Sequence, residues 1–261
     1  MKSALKTSVI LLIVALTAVM IPSLAAAEQS EPFSFVIFSD CHVPSYLFPL
    51  GQPLDDLTLL GMHNQKRLRE FTGECLAMNP KPDFVINNGD TGDLGWTNLL
   101  SLFQKLMRPL IDAGMPVYTV VGNHDLDYTG ISRKDLAEFY DPLGPAMIGR
   151  NGTRYSFDHK GCHFIVMNNR PVSGLLRFNP TDIAWLKDDL KKVRKDTRVL
   201  LFMHANLTEF DTHNVVEALQ DFTGPIIFLG HKHNDSFERW GGVPVVLTGS
   251  LYGGTPEAGS Y

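Results

Sequence analysis

The sequence is poor in cysteine, has no excess of basic charge, and carries no second long apolar run after its first two dozen residues. Three cysteines in 261 residues are too few to frame a disulfide-stapled fold, so stability must come from a buried core. The 23 Lys and Arg stand against 28 Asp and Glu, for a net charge of −5. That balance counts against a nonspecific nucleic-acid binder, which would be basic. Disorder requires low hydrophobicity and high net charge; 44% apolar and 20% charged residues exclude it as the dominant state. The 22 glycines and 16 prolines follow no three-residue period, which excludes collagen. No internal repeat, low-complexity tract or linker is visible. The length suits one large domain or two small ones, and one is the simpler account.

What is present begins with a leader. Lys2 and Lys6 precede an almost wholly apolar run from Val9 to Leu24, broken by Thr17, Pro22 and Ser23, and Ala25-Ala26-Ala27 follow. A positive start, an apolar middle and a small-residue end are the parts of a secretory signal peptide. The expectation is cleavage of residues 1–27, export to the periplasm or medium, and a single domain over 28–261 with no membrane span. The competing reading is an uncleaved anchor, since the run approaches spanning length. Removing 1–27 takes away two lysines and no acid, which moves the net charge from −5 to −7. In an oxidising compartment Cys75 and Cys162 could pair; buried free thiols are the alternative.

Beyond the leader, short β-rich apolar runs alternate with helical patterns. Strands are expected at 33–39, 83–88, 116–121, 155–158, 162–167, 199–203, 226–229 and 243–247, with helices at 55–78, 96–113, 132–140 and 181–192. Strand–helix–strand order implies parallel strands covered by helices, and the hairpin-like pair around His159-Lys160-Gly161 makes the sheets mixed.

The polar residues at the strand ends carry the function, because ligands of open α/β sheets bind beyond the carboxyl ends of strands. Five apolar strands run into Asp40-Cys41-His42, Gly89-Asp90-Thr91-Gly92-Asp93, Gly122-Asn123-His124-Asp125, His204, and Gly230-His231-Lys232-His233. Five of the nine histidines fall in these junctions. Singly, each fragment reads as an ordinary turn or a solvated histidine; five in a row after apolar strands do not. Asp and His donors suit manganese, iron or zinc rather than calcium. Seven good ligands are too many for one tetrahedral site. They fit two ions that share a carboxylate and a hydroxide, acidify that water and orient a phosphate.

This ordered set resembles the calcineurin-like metallophosphoesterase superfamily over residues 35–233. The resemblance implies an α/β fold, a four-layer α/β/β/α sandwich with two mixed β-sheets. It implies two divalent or trivalent metal ions, the first held by Asp40, His42, Asp90 and His233, the second by Asp90, Asn123, His204 and His231. It gives His124 the role of protonating the leaving oxygen or steadying the transition state, and Asp93 that of orienting His124, with a turn aspartate as the plainer reading of Asp93. Cys41 and Asp125 are expected to be structural. Leu94-Gly95 stands where the superfamily's protein phosphatases carry Arg-Gly, and His42 and Asp93 stand where purple acid phosphatases carry Gly and Tyr.

The implied function is a binuclear metal-dependent hydrolase of phosphomonoesters or phosphodiesters of small molecules, working through a metal-bridging hydroxide. A narrower alternative is a cyclic-nucleotide or other dedicated phosphodiesterase. An alternative of another class is a non-catalytic metal-dependent binding module. Specificity would lie in loops at 43–54, 94–97, 126–130 and 169–178. In these, Tyr46, Phe48 and Trp96 could stack on a base, and Arg170 and Arg177 could meet a phosphate.

Overall fold

The structure is a computed structural model and describes residues 31–43, 54–92, 97–125, 154–168, 170–172 and 175–251. Three short strands, β1 (Phe35–Phe38), β2 (Phe84–Asn87) and β3 (Val117–Thr119), form a parallel sheet in that order. Parallel neighbours need a crossover, and helices α1 (Leu54–Ala77) and α2 (Thr97–Asp112) supply it. Every residue of β2 and β3 is buried, which is why these strands read as continuous apolar runs rather than alternating ones.

A second, mixed sheet has six strands: β4 (Arg154–His159), β5 (Cys162–Met167), β8 (Arg198–Phe202), β9 (Ile226–Leu229), β10 (Ser236–Trp240) and β11 (Val243–Leu247). Their order is β10-β11-β9-β8-β5-β4, antiparallel only in the two outer pairs. Strands β6 (Arg170–Val172) and β7 (Leu175–Arg177) make a separate hairpin. Two further helices, α3 (Pro180–Leu190) and α4 (Glu209–Leu219), complete the four described.

Aromatic side chains join the two sheets. Phe157, Phe164, Phe202 and Phe228 stack across neighbouring strands of the larger sheet, with Phe202 and Phe228 centroids 4.7 Å apart. Phe35 and Phe84 of the smaller sheet meet them edge-on at 5.3–6.1 Å. Each such pair adds roughly 0.5–1.5 kcal/mol beyond the area it buries. On the other face of the small sheet, Phe38 packs on Phe71 of α1, 4.6 Å away, and on Phe103 of α2. Alternate residues of the large sheet (Ile165, Met167, Leu201, Ile227) join Leu186, Leu190, Val215 and Leu219 of α3 and α4 in a second cluster. The expected two-sheet α/β architecture is therefore present.

Asn179 caps helix α3: its side chain accepts from the Asp182 amide, and Asp182 accepts from the Asn179 amide, a reciprocal cap. The expected helix over 132–140 and the leader at 1–27 lie outside the described residues. The possible Cys75–Cys162 disulfide is not formed; all three cysteines are free and buried. Cys75 sits on α1, outside the small sheet, whereas Cys162 opens β5 of the other sheet. Burial pushes the Cys75 thiol up to about 12, so it is inert rather than nucleophilic.

A charged clasp ties α3 to the β4–β5 hairpin. His163 is buried, with Nδ1 2.6 Å from Asp158 and Nε2 3.0 Å from Asp189. Lys192 approaches Asp189 at 3.7 Å, and Ser156 also bonds to it. Burial opposes charge on the imidazole, but Asp189 and then Asp158 outweigh it and raise its pKa. A raised folded-state pKa contributes stability that is complete below the unfolded value, about 6.5, and is lost as pH rises through the folded value. Asp158 is largely exposed and adds little, so Asp189 dominates. Relative to His163→Gln, the wild type should therefore melt about 2–4 °C higher near pH 6, for a clasp of about 1 kcal/mol. That margin should shrink by pH 9. A margin independent of pH in paired thermal melts would contradict the charged clasp.

Candidate metal centre

The strands end together. The three parallel strands of the small sheet and the parallel strands β8 and β9 all run into loops at one edge of the molecule, where parallel bridges Ser39–Ser250 and Val43–Gly92 hold neighbouring segments in place. The turns out of the strands are abrupt. Asp40, His42, Asp90, His231 and His233 all have positive φ, between 40° and 70°. Left-handed backbone is unfavourable for side chains of this kind and persists only where the surroundings impose it. Among the described non-glycine residues only Lys160, in the β4–β5 turn, shares this state without being a predicted ligand. The strain therefore concentrates where the sequence places its chemistry.

Glycines allow the close approach. Gly89, with φ of 101°, has no room for a Cβ, which would fall on the His204 ring. A Cβ on Gly230 would collide with Ser39 and with Asp40 Oδ2.

Each carboxylate is fastened by one oxygen and presents the other. Asp40 Oδ2 accepts from the His231 amide at 2.9 Å and from the Ser39 hydroxyl. Asp90 Oδ1 accepts from the His124 amide at 2.9 Å. The opposite oxygens face imidazoles: Asp90 Oδ2 lies 3.0 Å from His204 Nε2 and 3.9 Å from His42 Nε2. Asp40 Oδ1 lies 3.2 Å from His233 Nε2, 3.9 Å from His204 Nε2 and 4.0 Å from His42 Nε2. His204 Nδ1 sits 2.9 Å from the Asn88 carbonyl; donation there leaves the Nε2 lone pair for a ligand. The His42 ring stands edge-on to His124, centroids 4.8 Å apart.

Three overlapping groups could each hold a cation, with ligand atoms within 4.8 Å of one another: Asp40, His42 and His233; His42, Asp90 and His124; Asp90, His204 and His231. The donor atoms fit that use. Asn123 Oδ1 is buried and accepts no hydrogen bond, and Asp40 Oδ1 and His204 Nε2 make none of acceptable geometry. Such atoms carry a desolvation penalty unless something coordinates them.

The electrostatics tell the same story. Burial opposes ionisation of Asp90, but His204, His42 and His124 outweigh it and hold its carboxyl well below the ordinary range. Burial likewise opposes charge on His204, yet Asp90 and Asp40 raise its pKa to about 9. A positive charge is stabilised at the centre of the cluster, and a proton or a metal ion can provide it.

The neighbours of these residues do structural work. Asp125 is fully buried and its carboxylate accepts from the backbone amides of Thr91, Gly92 and Gly122 at 2.8–3.2 Å, so it pins the second and third strand-end loops to each other. This is the structural role expected of it. Cys41 turns its thiol to the Thr91 carbonyl, 3.3 Å away, as expected of a packing residue. No motif pointed to Ser39 or Ser250, whose hydroxyls bond to the Asp40 carboxylate and to the Asp40 carbonyl. Asp93, the loops with Tyr46, Phe48 and Trp96, and the side chains of Arg170 and Arg177 lie outside the described residues; the backbones of those two arginines pair in register across β6 and β7.

A two-sheet α/β frame with Asp, Asn and His gathered at its strand ends is the build of a metal-dependent phosphoesterase, and comparison with known proteins agrees. The model of the calcineurin-like phosphoesterase family matches residues 33–235, and the chain belongs to that family. A protein of Arcobacter nitrofigilis described as "Probable glycerophosphodiester phosphodiesterase GpdQ" is 28% identical in a 188-residue alignment that covers 66% of this chain and 63% of that protein. Among solved structures, purple acid phosphatase PPD1 from yellow lupin (Lupinus luteus) seeds matches with a TM-score of 0.51 at 15% identity, over 83% of this chain and 44% of that one. GAP50, the anchor in the inner membrane complex of Plasmodium, matches with a TM-score of 0.50 at 16% identity, over 83% and 71%. Identities this low speak for the fold alone. The chain spans less than two thirds of the length of GpdQ and of the lupin enzyme.

Proposed function

We propose that this chain is an exported, dinuclear metal-dependent hydrolase of small-molecule phosphoesters. The observation that carries the reading is the convergence of Asp40, His42, Asp90, His204, His231 and His233 into overlapping cation-sized groups. The first cation would be held by Asp40, His42, Asp90 and His233, and the second by Asp90, Asn123, His204 and His231. Asp90, with an oxygen facing both His42 and His204, suits the shared position. Bound there, manganese, iron or zinc ions supply an acidified water and neutralise charge on a phosphoryl group.

The chain's own residues then act on the ester. His124 stands beside the cluster with its ring against His42, placed to give a proton to the departing oxygen as the P–O bond breaks and water's oxygen bonds to phosphorus. Asp93 would orient that imidazole. The likeness to a glycerophosphodiester phosphodiesterase favours diesters over monoesters. The apolar leader supports export, and no helix among the described residues is long and apolar enough to cross a membrane.

The test is hydrolysis of aryl phosphate mono- and diesters by metal-stripped protein, before and after addition of Mn²⁺, Fe²⁺ or Zn²⁺. Stripped protein should be inert, restored protein active, and the diester the better substrate. Metal uptake without turnover on any ester would replace this reading with a binding module.

A further inference from the structure

Asn64, on the inner face of α1, reaches the strained loop that carries His42. Its side chain is 2% exposed, and Leu68 and Phe71, the next positions on the same helical face, belong to the apolar core. Its Nδ2 donates to the His42 carbonyl at 3.1 Å, while its Oδ1 is buried and accepts nothing. For packing alone, this is a poor residue: asparagine is a weak helix former, and half of its amide is desolvated without compensation. An apolar side chain of the same size would avoid both penalties.

The other end of the hydrogen bond explains its presence. His42 has a φ of 40° and is buried. Its loop is held from one side by the His42 amide on the Asp90 carbonyl, 3.1 Å, and by the Val43 amide on the Thr91 carbonyl, 2.7 Å. From the helix side, Asn64 grips the His42 carbonyl. Without that donor, the peptide after His42 is held only through the Val43 amide, so it can tilt towards relaxed backbone, and the imidazole shifts with it.

We propose that Asn64 is a positioning residue: it fixes the His42 backbone and thereby sets the cation affinity of the Asp40–His42–His233 group, leaving the Asp90–His204–His231 group untouched. The inference rests on the two-cation reading above. Asn64 is uncharged, so its effect is geometric rather than electrostatic, and it acts on one site because it touches one ligand's loop.

Calorimetric titration of the metal-free full chain with Mn²⁺ tests this in the wild type, Asn64→Leu, Asn64→Ser and His233→Ala. The wild type should show two binding steps, and His233→Ala should lose one of them. Asn64→Leu and Asn64→Ser should weaken that same step by about 10- to 100-fold, as loss of an outer partner of a metal ligand does. The other step should be unchanged. The metal-free Asn64→Leu protein should melt close to the wild type, because losing the donor to the His42 carbonyl is offset by removing the unsatisfied Oδ1. Unaltered steps in both Asn64 variants would overturn the proposal, as would equal weakening of both steps together with a lower melting temperature. If Asn64→Leu does not fold, Asn64→Ser decides. A wild type with fewer than two steps would overturn the two-cation reading itself, a result distinct from two wild-type steps that Asn64 does not influence.

Discussion

Asp90→Asn is expected to empty the site. Metal analysis of the purified variant should give less than half the wild type's content, and kcat/KM on an aryl phosphodiester should fall by roughly a thousandfold or more. The reason lies in how the carboxylate is used. Oδ1 is fastened by the His124 amide, so Oδ2 alone is presented to the cluster, 3.0 Å from His204 and 3.9 Å from His42. An amide there must keep its oxygen on the backbone N–H, which turns its NH₂ towards the imidazoles. The substitution thus removes a negative charge and places a donor where a shared ligand is needed. It also removes the strongest of the attractions that raise the His204 pKa, so the centre loses much of its preference for positive charge. Unchanged metal content in a folded Asp90→Asn protein would rule out the shared position.

His124→Ala should separate chemistry from metal binding. Its backbone amide, which anchors Asp90, survives the substitution, and the proposed ligand sets do not include its ring. Metal content should therefore match the wild type, while kcat falls by about 10²–10⁴, the usual worth of a positioned proton donor. The loss should be smaller for esters with acidic leaving groups, which depart without protonation. Equal rates in variant and wild type would remove His124 from the reaction; loss of metal would make it a ligand instead.

Much of the frame could be read from the residues because burial leaves a plain trace. Strands covered on both faces, such as β2 (Phe84–Asn87) and β9 (Ile226–Leu229), are apolar along nearly their whole length, and no helical pattern imitates a run so short between breakers. The reciprocal cap at Asn179 and Asp182 is written in four consecutive residues. Strand β10 (Ser236–Trp240) escaped notice because it is an edge, largely exposed along its length, and Ser-Phe-Glu-Arg-Trp shows no apolar face. Helix α4 (Glu209–Leu219) buries only Asp211, Val215 and Leu219, one residue per turn, too thin a stripe to stand out. Its Thr208 cap, bonded to the Asp211 amide, was the available signal.

The site was legible for a related reason. Metal-type ligands recur directly after apolar strands, and parallel strands deliver their ends to one edge. What could not be read was the support. Ser39, Ser250 and Asn64 act through backbone groups brought near by the fold, and hydroxyls and amides that bond to carbonyls leave no spacing rule in the chain. The positive φ of Asp40, His42, Asp90, His231 and His233 is equally silent, because none of them is glycine.

The central claim is that two cations sit side by side among these strand ends. The most direct measurement is diffraction from crystals grown with Mn²⁺, with data collected across the manganese edge. Two anomalous peaks about 3.5–4 Å apart, one against Asp40 and His233 and one against His204 and His231, with Asp90 reaching both, are the predicted result. A single peak, or ions bound away from Asp90, would contradict it.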